Sequence, residues 1–215
     1  EVPDELLIHG RDSANSGIDG TTDLPFPADD IFVLRGASTL PNETADRPGY
    51  VALVHGNLER LLDTDSGNDG SAEVQRINYD RSVDGRLTVF GRGGNDAFFV
   101  DDSRVIATLD GGAGDVRFQV GQIFGLARDA ADGGLLAQDR FPTIVPTTRG
   151  WLSPGNGAPM LLQGGSGNDV FNVYSTRAEL RVEGDDGDDI TTVRAFALAE
   201  VTARDPTSNF GGVDI

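Results

Sequence analysis

Alternating apolar and polar residues mark short segments of the chain that are typical of strands rather than helices. In LTVFGRGGNDAFFV (87–100), apolar side chains occupy every second position on both sides of a block rich in glycine and aspartate. Alternation of period two is typical of strands whose alternate side chains face one interior. LLIHG (6–10), PADDIFVL (27–34) and VALVHG (51–56) have similar strand-like patterns. The pattern therefore predicts an all-β protein.

The same segment recurs along the chain. Four copies align without gaps: LTVFGRGGNDAFFV (87–100), ATLDGGAGDVRFQV (107–120), MLLQGGSGNDVFNV (160–173) and LRVEGDDGDDITTV (180–193). Their Gly/Asp blocks begin at Gly91, Gly111, Gly164 and Gly184, which gives steps of 20, 53 and 20 residues. Structural repeats of this length stack on their neighbours. We predict a right-handed parallel β-helix or β-roll solenoid with coils of about 20 residues.

Stacking in register predicts columns of equivalent side chains. One column contains Phe98, Phe118, Phe171 and Thr191, and the next contains Val100, Val120, Val173 and Val193. On the preceding strand, alternation predicts an inward column of Val89, Leu109, Leu162 and Val182.

The irregular spacings predict loops that leave the stack. The step of 53 residues suggests one regular coil plus an excursion of about 33 residues within about 121–160, and shorter excursions are expected at about 11–27 and 36–49. We interpret 1–215 as a single domain in which 1–120 and 160–215 form one stack. TDSGNDGSAEV (64–74) is a weaker copy that keeps the block but has Ser71 where phenylalanine is expected. The stretch 209–215 resembles the beginning of another turn, so we expect the chain to be cut from a longer array.

The charge and composition of the chain exclude several classes of function. The formal net charge is −18, with 35 acidic and 17 basic residues, and all the basic residues are arginine. Such a surface repels nucleic acid and anionic membranes and attracts cations. The absence of lysine and cysteine excludes a Walker lysine, a thiolate nucleophile and a cysteine-ligated zinc site. No apolar run is long enough to insert into a membrane.

The Gly/Asp blocks have the chemistry of a calcium site. Strands in a stack lie about 4.8 Å apart, and calcium takes 6–8 oxygens at about 2.3–2.6 Å. Aspartates on successive turns repel by about 3 kcal/mol at 5 Å and an effective dielectric of 20, so bound Ca²⁺ should favour folding. We predict carboxylate ligands at Asp96, Asp115, Asp169 and Asp189, with Asp186, Asp188, Asp69 and Asp30 as further candidates. Backbone ligands are expected at Gly91, Gly93, Gly111, Ala113, Gly164, Ser166 and Gly184.

GGSGNDVFN (164–172) matches the nonapeptide Gly-Gly-x-Gly-x-Asp-x-apolar-x throughout. In this it resembles the hemolysin-type calcium-binding (RTX) repeat family. Other copies depart from the pattern at Arg92, at Asp185 and Thr191, and at Asp115–Val116, where the aspartate comes one place early. The resemblance implies a β-roll or β-helix, calcium between turns and secretion from a bacterium. One block per 20-residue coil predicts a single calcium-lined edge.

The leading hypothesis is a calcium-binding structural or adhesive module of a secreted bacterial protein, located at the cell surface or in the matrix. Its expected partners are calcium ions, neighbouring repeats, other copies of itself, and a glycan or cell-surface molecule. We expect no enzymatic activity. The alternative is a polysaccharide-active β-helix enzyme of lyase or epimerase type, with Asp101–Asp102 or Asp29–Asp30 as its carboxylates. A halophilic protein, acidic only for solubility, is the third hypothesis. His9 and His55 are interpreted as strand-end residues, and Trp151 as cover for a flank of the stack or as a glycan contact.

Overall fold

The computed structural model describes residues 4–10, 29–36, 47–55, 74–80, 82–83, 85–128, 140–143 and 145–197. Within these residues all regular structure is β-structure, which confirms the all-β prediction, and no helix long and apolar enough to cross a membrane occurs. The strands are β1 (Leu6–His9), β2 (Asp30–Arg35), β3 (Gly49–His55), β4 (Val74–Tyr79), β5 (Leu87–Phe90), β6 (Ala97–Ser103), β7 (Ala107–Asp110), β8 (Arg117–Val120), β9 (Ile123–Phe124), β10 (Val145–Thr147), β11 (Gly150–Leu152), β12 (Gly155–Asn156), β13 (Met160–Ser166), β14 (Val170–Val173), β15 (Leu180–Asp186) and β16 (Ile190–Val193).

Two sheets carry the repeated strands. The first has the order β1-β5-β7-β13-β15, and every neighbouring pair in it is parallel. The second contains β2, β6, β8, β14 and β16 in the corresponding order, also parallel. One strand from each sheet forms a level, and the five levels are β1/β2, β5/β6, β7/β8, β13/β14 and β15/β16. Strand spacing therefore separates equivalent residues on successive levels by about 4.8 Å.

The register confirms the predicted columns. Phe98 pairs with Phe118, Phe118 with Phe171, and Phe171 with Thr191. The four phenylalanine rings of the column stack in parallel with centroids 4.7–4.9 Å apart, and Phe32 begins the column at level 1. The inward aliphatic residues Val89, Leu109 and Leu162 are fully buried. Because large rings and aliphatic side chains fill the space between the two sheets, the levels share one hydrophobic core.

The longest excursion is inserted into level 3. Gly121 donates its N–H to Val100 O, and the chain returns at Gly155, which pairs with Asp102 on the same strand β6. The two ends meet, since Ser153 donates its N–H to the carbonyl of Gln122 at 2.9 Å. The excursion is thus 122–154, and it accounts for the predicted extra residues. Within it, β9, β10 and β11 form a small antiparallel sheet.

The expectation of one uninterrupted parallel stack over 1–120 is wrong for β3 and β4. Strand β3 pairs antiparallel with β2, and β4 pairs antiparallel with β3, so they extend the second sheet beyond level 1. The chain turns back beside β2 instead of crossing to the first sheet, and a direct return makes neighbouring strands antiparallel. The segment expected to leave the stack at 36–49 is the connection from β2 to β3. Residues 11–27, 64–73 and 209–215 lie outside the described residues.

Candidate metal centre

At levels 2 to 5 a six-residue Gly/Asp turn joins the two sheets, and we number its positions 1 to 6. The turns are 91–96, 111–116, 164–169 and 184–189. Position 4 is always a glycine with φ between 120° and 139°, and position 2 also has positive φ. Arg92 and Asp185, which replace glycine at position 2, keep this conformation with φ of 80° and 66°. The four turns therefore have the same backbone shape despite their sequence differences.

Backbone hydrogen bonds hold successive turns in register. Ala113 donates its N–H to Arg92 O at 2.9 Å, and Ser166 donates to Gly112 O at 2.8 Å. In the opposite direction, Gly167 donates to Asp186 O at 2.9 Å. These bonds join carbonyls at positions 2 and 3 to amides on neighbouring levels.

Position 5 carries an outer ladder of side chains along the exposed edge of the stack. Asn95 Oδ1 accepts the N–H of Asp115 at 2.9 Å, Asp115 Oδ1 accepts that of Asn168 at 2.8 Å, and Asn168 Oδ1 accepts that of Asp188 at 3.0 Å. Asp29 begins the ladder by accepting the N–H of Asn95 at 2.7 Å. Each side chain thus satisfies a turn amide one level further on, as in an Asx turn made between levels.

The side chains at position 6 form an inner column, and their hydrogen bonds run in the direction opposite to those of the outer ladder. Asp96 Oδ1 accepts the N–H of Asp30, Asp169 Oδ1 that of Val116, and Asp189 Oδ1 that of Asp169, at 2.7–2.9 Å. Each carboxylate therefore satisfies an amide on the preceding level. Asp30, Asp96 and Asp169 are at most 1% exposed. Burying a carboxylate so completely is costly unless both oxygens are satisfied.

The second carboxylate oxygen of Asp169 has no hydrogen-bond partner among the described residues. Asp169 Oδ2 is buried, and among the described residues no donor lies within hydrogen-bonding distance. It faces Gly164 at position 1 of its own turn, where an added side-chain carbon would overlap both Asp169 Oδ2 and the carbonyl oxygen of Gly184. Two acceptor oxygens thus approach the same glycine. Only a glycine leaves room for this approach.

The surroundings of Asp169 disfavour the charged form of its carboxyl group. Burial raises the pKa of Asp169, and the neighbouring charges of Asp189, Asp115 and Asp185 raise it further, against the N–H of Val116, which lowers it. A bound divalent ion would relieve the same repulsion without protonating the carboxylate.

The structure separates the predicted ligands into groups. Asp30, Asp96, Asp169 and Asp189 share the inner column, and Gly91, Gly111, Gly164 and Gly184 lie beside it at position 1. Asp115 and Asp188 belong to the outer ladder and are exposed, because the early aspartate at 115 leaves the inner position to Val116. Gly93, Ala113, Ser166 and Asp186 occupy position 3 on the backbone bridges between levels. Asp69 lies outside the described residues.

From the sequence, carboxylates on successive levels were expected to face one another across a shared ion. The structure shows a different arrangement. Each described inner aspartate of levels 2, 4 and 5 directs Oδ1 to the preceding level and Oδ2 to the position-1 glycine of its own turn. Within the described residues, no three or more histidine, aspartate or glutamate side chains form a group that could hold a metal. A cation here would need backbone carbonyls as ligands beside a carboxylate, and calcium accepts both.

A second set of buried carboxylates lies at the far end of β6. Asp101 is 2% exposed and bound by Arg35 at 3.0 Å and by the side chain of Gln122, while Asp102 is 1% exposed and bound by Arg104 at 3.2 Å. Burial raises the pKa of both carboxyls, and the arginines oppose the increase. Phe141 of the excursion lies under the Arg35 guanidinium, 4.3 Å from the ring centroid. The contacts of Gln122 with Asp101 and of Phe141 with Arg35 anchor the excursion to the stack.

His9 and Trp151, which the sequence also singled out, make contacts that stabilise the fold. His9 stacks on Phe90 at 4.8 Å and accepts a hydrogen bond from Arg92. Trp151 lies in β11 and pairs with Phe124 and Pro146 inside the excursion. Sequence reasoning missed the ladder roles of Asn95 and Asn168, although their position directly before each block's last aspartate was a visible signal.

Comparison with protein-family models, curated proteins and solved structures finds no match to this chain.

Proposed function

We propose that the chain is a calcium-binding structural or adhesive module whose stacked Gly/Asp turns are folded and stiffened by Ca²⁺. The observation that carries the proposal is the buried Asp169 carboxylate, whose Oδ2 has no donor among the described residues and lies beside the Gly184 carbonyl. A calcium ion coordinated by such oxygens would offset the cost of burying the charge. The RTX-like nonapeptide at 164–172 supports the same ion.

The finer fold that we propose is a right-handed parallel β-helix. Support comes from β5 to β8 and from β13 to β16, where consecutive strands alternate between the two sheets, and from parallel pairings at sequence steps of 20, as between Phe98 and Phe118. Parallel crossovers are right-handed in nearly all proteins. In such a fold all Gly/Asp turns lie on one edge, and the calcium ions would line that edge alone.

A secreted, extracellular setting follows from the proposed chemistry. A chain with net charge −18 and no cysteine has neither disulfides nor a charge-balanced surface, so bound divalent cations are its available staple. A rigid stack of this kind suits an adhesive or matrix protein of a bacterial cell surface. Its partners would be calcium, neighbouring repeats or other copies, and a glycan or cell-surface molecule.

The proposal includes no catalytic role. Asp101 and Asp102 are at most 2% exposed, and Arg35 and Arg104 each bind one of their carboxylate oxygens, so burial keeps both carboxylates from a polysaccharide. Asp29 Oδ1 accepts the N–H of Asn95 in the outer ladder, and Asp30 is 1% exposed in the inner column.

Calorimetric titration of calcium into metal-stripped protein, with melting curves in EGTA and in millimolar calcium, tests the proposal. We expect saturable binding and a calcium-dependent rise in melting temperature that EGTA reverses. Magnesium is the control ion, because its strict octahedral geometry fits carbonyl-rich turns poorly. Identical melting curves with and without calcium would contradict the proposal.

A further inference from the structure

The inner column is interrupted at one level. Val116 occupies position 6 at level 3, where it is 1% exposed and packed in the hydrophobic core. Asp30 and Asp96 lie on the levels before it, and Asp169 and Asp189 on the levels after it. The column therefore consists of two acidic pairs with an apolar residue between them.

The geometry beside each position-1 glycine shows what the interruption changes. An added side-chain carbon at Gly10 would lie 2.7 Å from Gly91 O and 2.9 Å from Asp30 Oδ2, and at Gly91 it would overlap Asp96 Oδ2 and Gly111 O. Gly164 has the same surroundings. In each case a carboxylate oxygen and the carbonyl of the next level approach one glycine.

At Gly111 the carboxylate oxygen is replaced by a methyl group. The added carbon would overlap Gly164 O and lie 3.0 Å from Val116 Cγ2. The carbonyl of the next level is present as elsewhere, but no anionic oxygen accompanies it. A cation at this level would lose its charged ligand and meet an apolar surface, which is unfavourable.

Distance prevents a single ion from bridging the interruption. Asp96 and Asp169 are two levels apart, which corresponds to about 9.6 Å at the usual strand spacing. Calcium binds oxygens at about 2.3–2.6 Å, so one ion spans only about 5 Å between opposite ligands.

We infer that Val116 divides the calcium-binding edge into two separate sites, one formed with Asp30 and Asp96 and the other with Asp169 and Asp189. This inference rests on the proposed function, since it assigns the number and placement of the same ions. The buried Asp169 Oδ2 marks the second site independently of the sequence pattern. The two sites bind calcium without needing one another.

Calcium titrations of Asp96→Asn and Asp169→Asn, by calorimetry on stripped protein, test the division. Each substitution keeps an Oδ1 acceptor for the neighbouring amide, so the turns stay capped. We expect each variant to lose part of the wild-type stoichiometry, and the double variant to lose the rest. Loss of all binding in either single variant would overturn the division while leaving calcium binding intact as a function. A wild-type chain that binds no calcium would overturn both.

Val116→Asp supplies a gain-of-function test. The new carboxylate restores the missing ligand between Gly111 and Gly164, so the stoichiometry in calcium should rise by about one ion. Val116→Asn is the matched control, because it adds a polar group of the same size without the charge, and it should leave the stoichiometry unchanged. An equal rise in both variants, or a folded Val116→Asp with the wild-type stoichiometry, would contradict the inference. If Val116→Asp does not fold, the calcium titrations of Asp96→Asn and Asp169→Asn test the division by themselves.

Discussion

Asp169 Oδ1 accepts the backbone N–H of Val116 at 2.8 Å across the boundary between levels 4 and 3. One oxygen of this buried carboxylate thus serves the stack, and the other faces Gly164 and the Gly184 carbonyl without a donor among the described residues. The same side chain therefore contributes to backbone register and creates an excess of negative charge. The first role needs only an acceptor, whereas the second needs a cation or a proton, and this difference can be tested.

Asp169→Asn separates the two roles of the side chain. The amide keeps the acceptor for Val116, and its NH₂ group can donate to the Gly184 carbonyl where the carboxylate cannot. We expect a melting temperature in EGTA equal to or above that of the wild type, and a much smaller rise with calcium. Calcium at about 100 times its Kd would stabilise a wild-type site by about 2.7 kcal/mol. Asp115→Asn on the exposed ladder is the control and should retain most of the calcium effect; equal loss in both variants would argue against the inner site.

Stability of the metal-free protein should depend on pH in the direction opposite to that of most acid-sensitive proteins. Folding raises the pKa of Asp169, Asp101 and Asp102 above the unfolded value of about 3.9. The folded state then binds more protons than the unfolded state, so the stability present below the unfolded pKa is lost as pH rises through the folded pKa.

The measurement is a series of melting curves in EGTA from about pH 4 to pH 7. We expect the melting temperature to fall along this series, and the fall to be smaller in Asp169→Asn. Stability that increases steadily with pH in the chelator would show that the carboxylates are stabilised as anions without a metal.

Gly187 is expected to be one of the least tolerant positions of the stack. Its φ is 139°, and an added side-chain carbon would overlap the carbonyl of Gly167 on the preceding level. Gly187→Ala should therefore destabilise the protein by more than about 1 kcal/mol, measured by chemical denaturation in calcium. Gly125→Ala is the matched control, because an added carbon there meets no atom within 4 Å. Similar stabilities for the two variants would mean that the level 4 to level 5 contact relaxes freely.

Removal of the excursion should leave the stack in place. A chain in which Gly121 is joined directly to Gly155 lacks 122–154 and regains the 20-residue step, because both glycines are already paired to strand β6. We expect an unchanged β-type circular dichroism spectrum and the wild-type calcium stoichiometry. The melting temperature should be lower, since Phe141 no longer covers Arg35 and Gln122 no longer binds Asp101. Loss of calcium binding in this variant would place a ligand within the excursion.

Much of the stack was predictable from local patterns in the sequence. The 20-residue step and the alternation around Phe98, Phe118 and Phe171 predicted their pairing, because stacked parallel strands place residues of equal repeat position beside one another. The alignment placed Val116 in the slot that the other blocks give to aspartate, yet Asp115 was still predicted as a ligand beside Asp96 and Asp169. The structure buries Val116 and leaves Asp115 on the exposed outer ladder.

The sequence by itself determined the all-β class, the columns and the placement of the Gly/Asp blocks between strands, since these depend on side-chain period and on glycine's access to positive φ. Only the tertiary structure decided that β3 and β4 return antiparallel beside β2, because strand direction depends on where a long connection re-enters the sheet. It alone also decided which oxygen of Asp169 meets Val116 and which meets Gly184. A repeat pattern specifies which residues are equivalent, but the direction of each carboxylate depends on the amides and carbonyls that neighbouring levels bring to it.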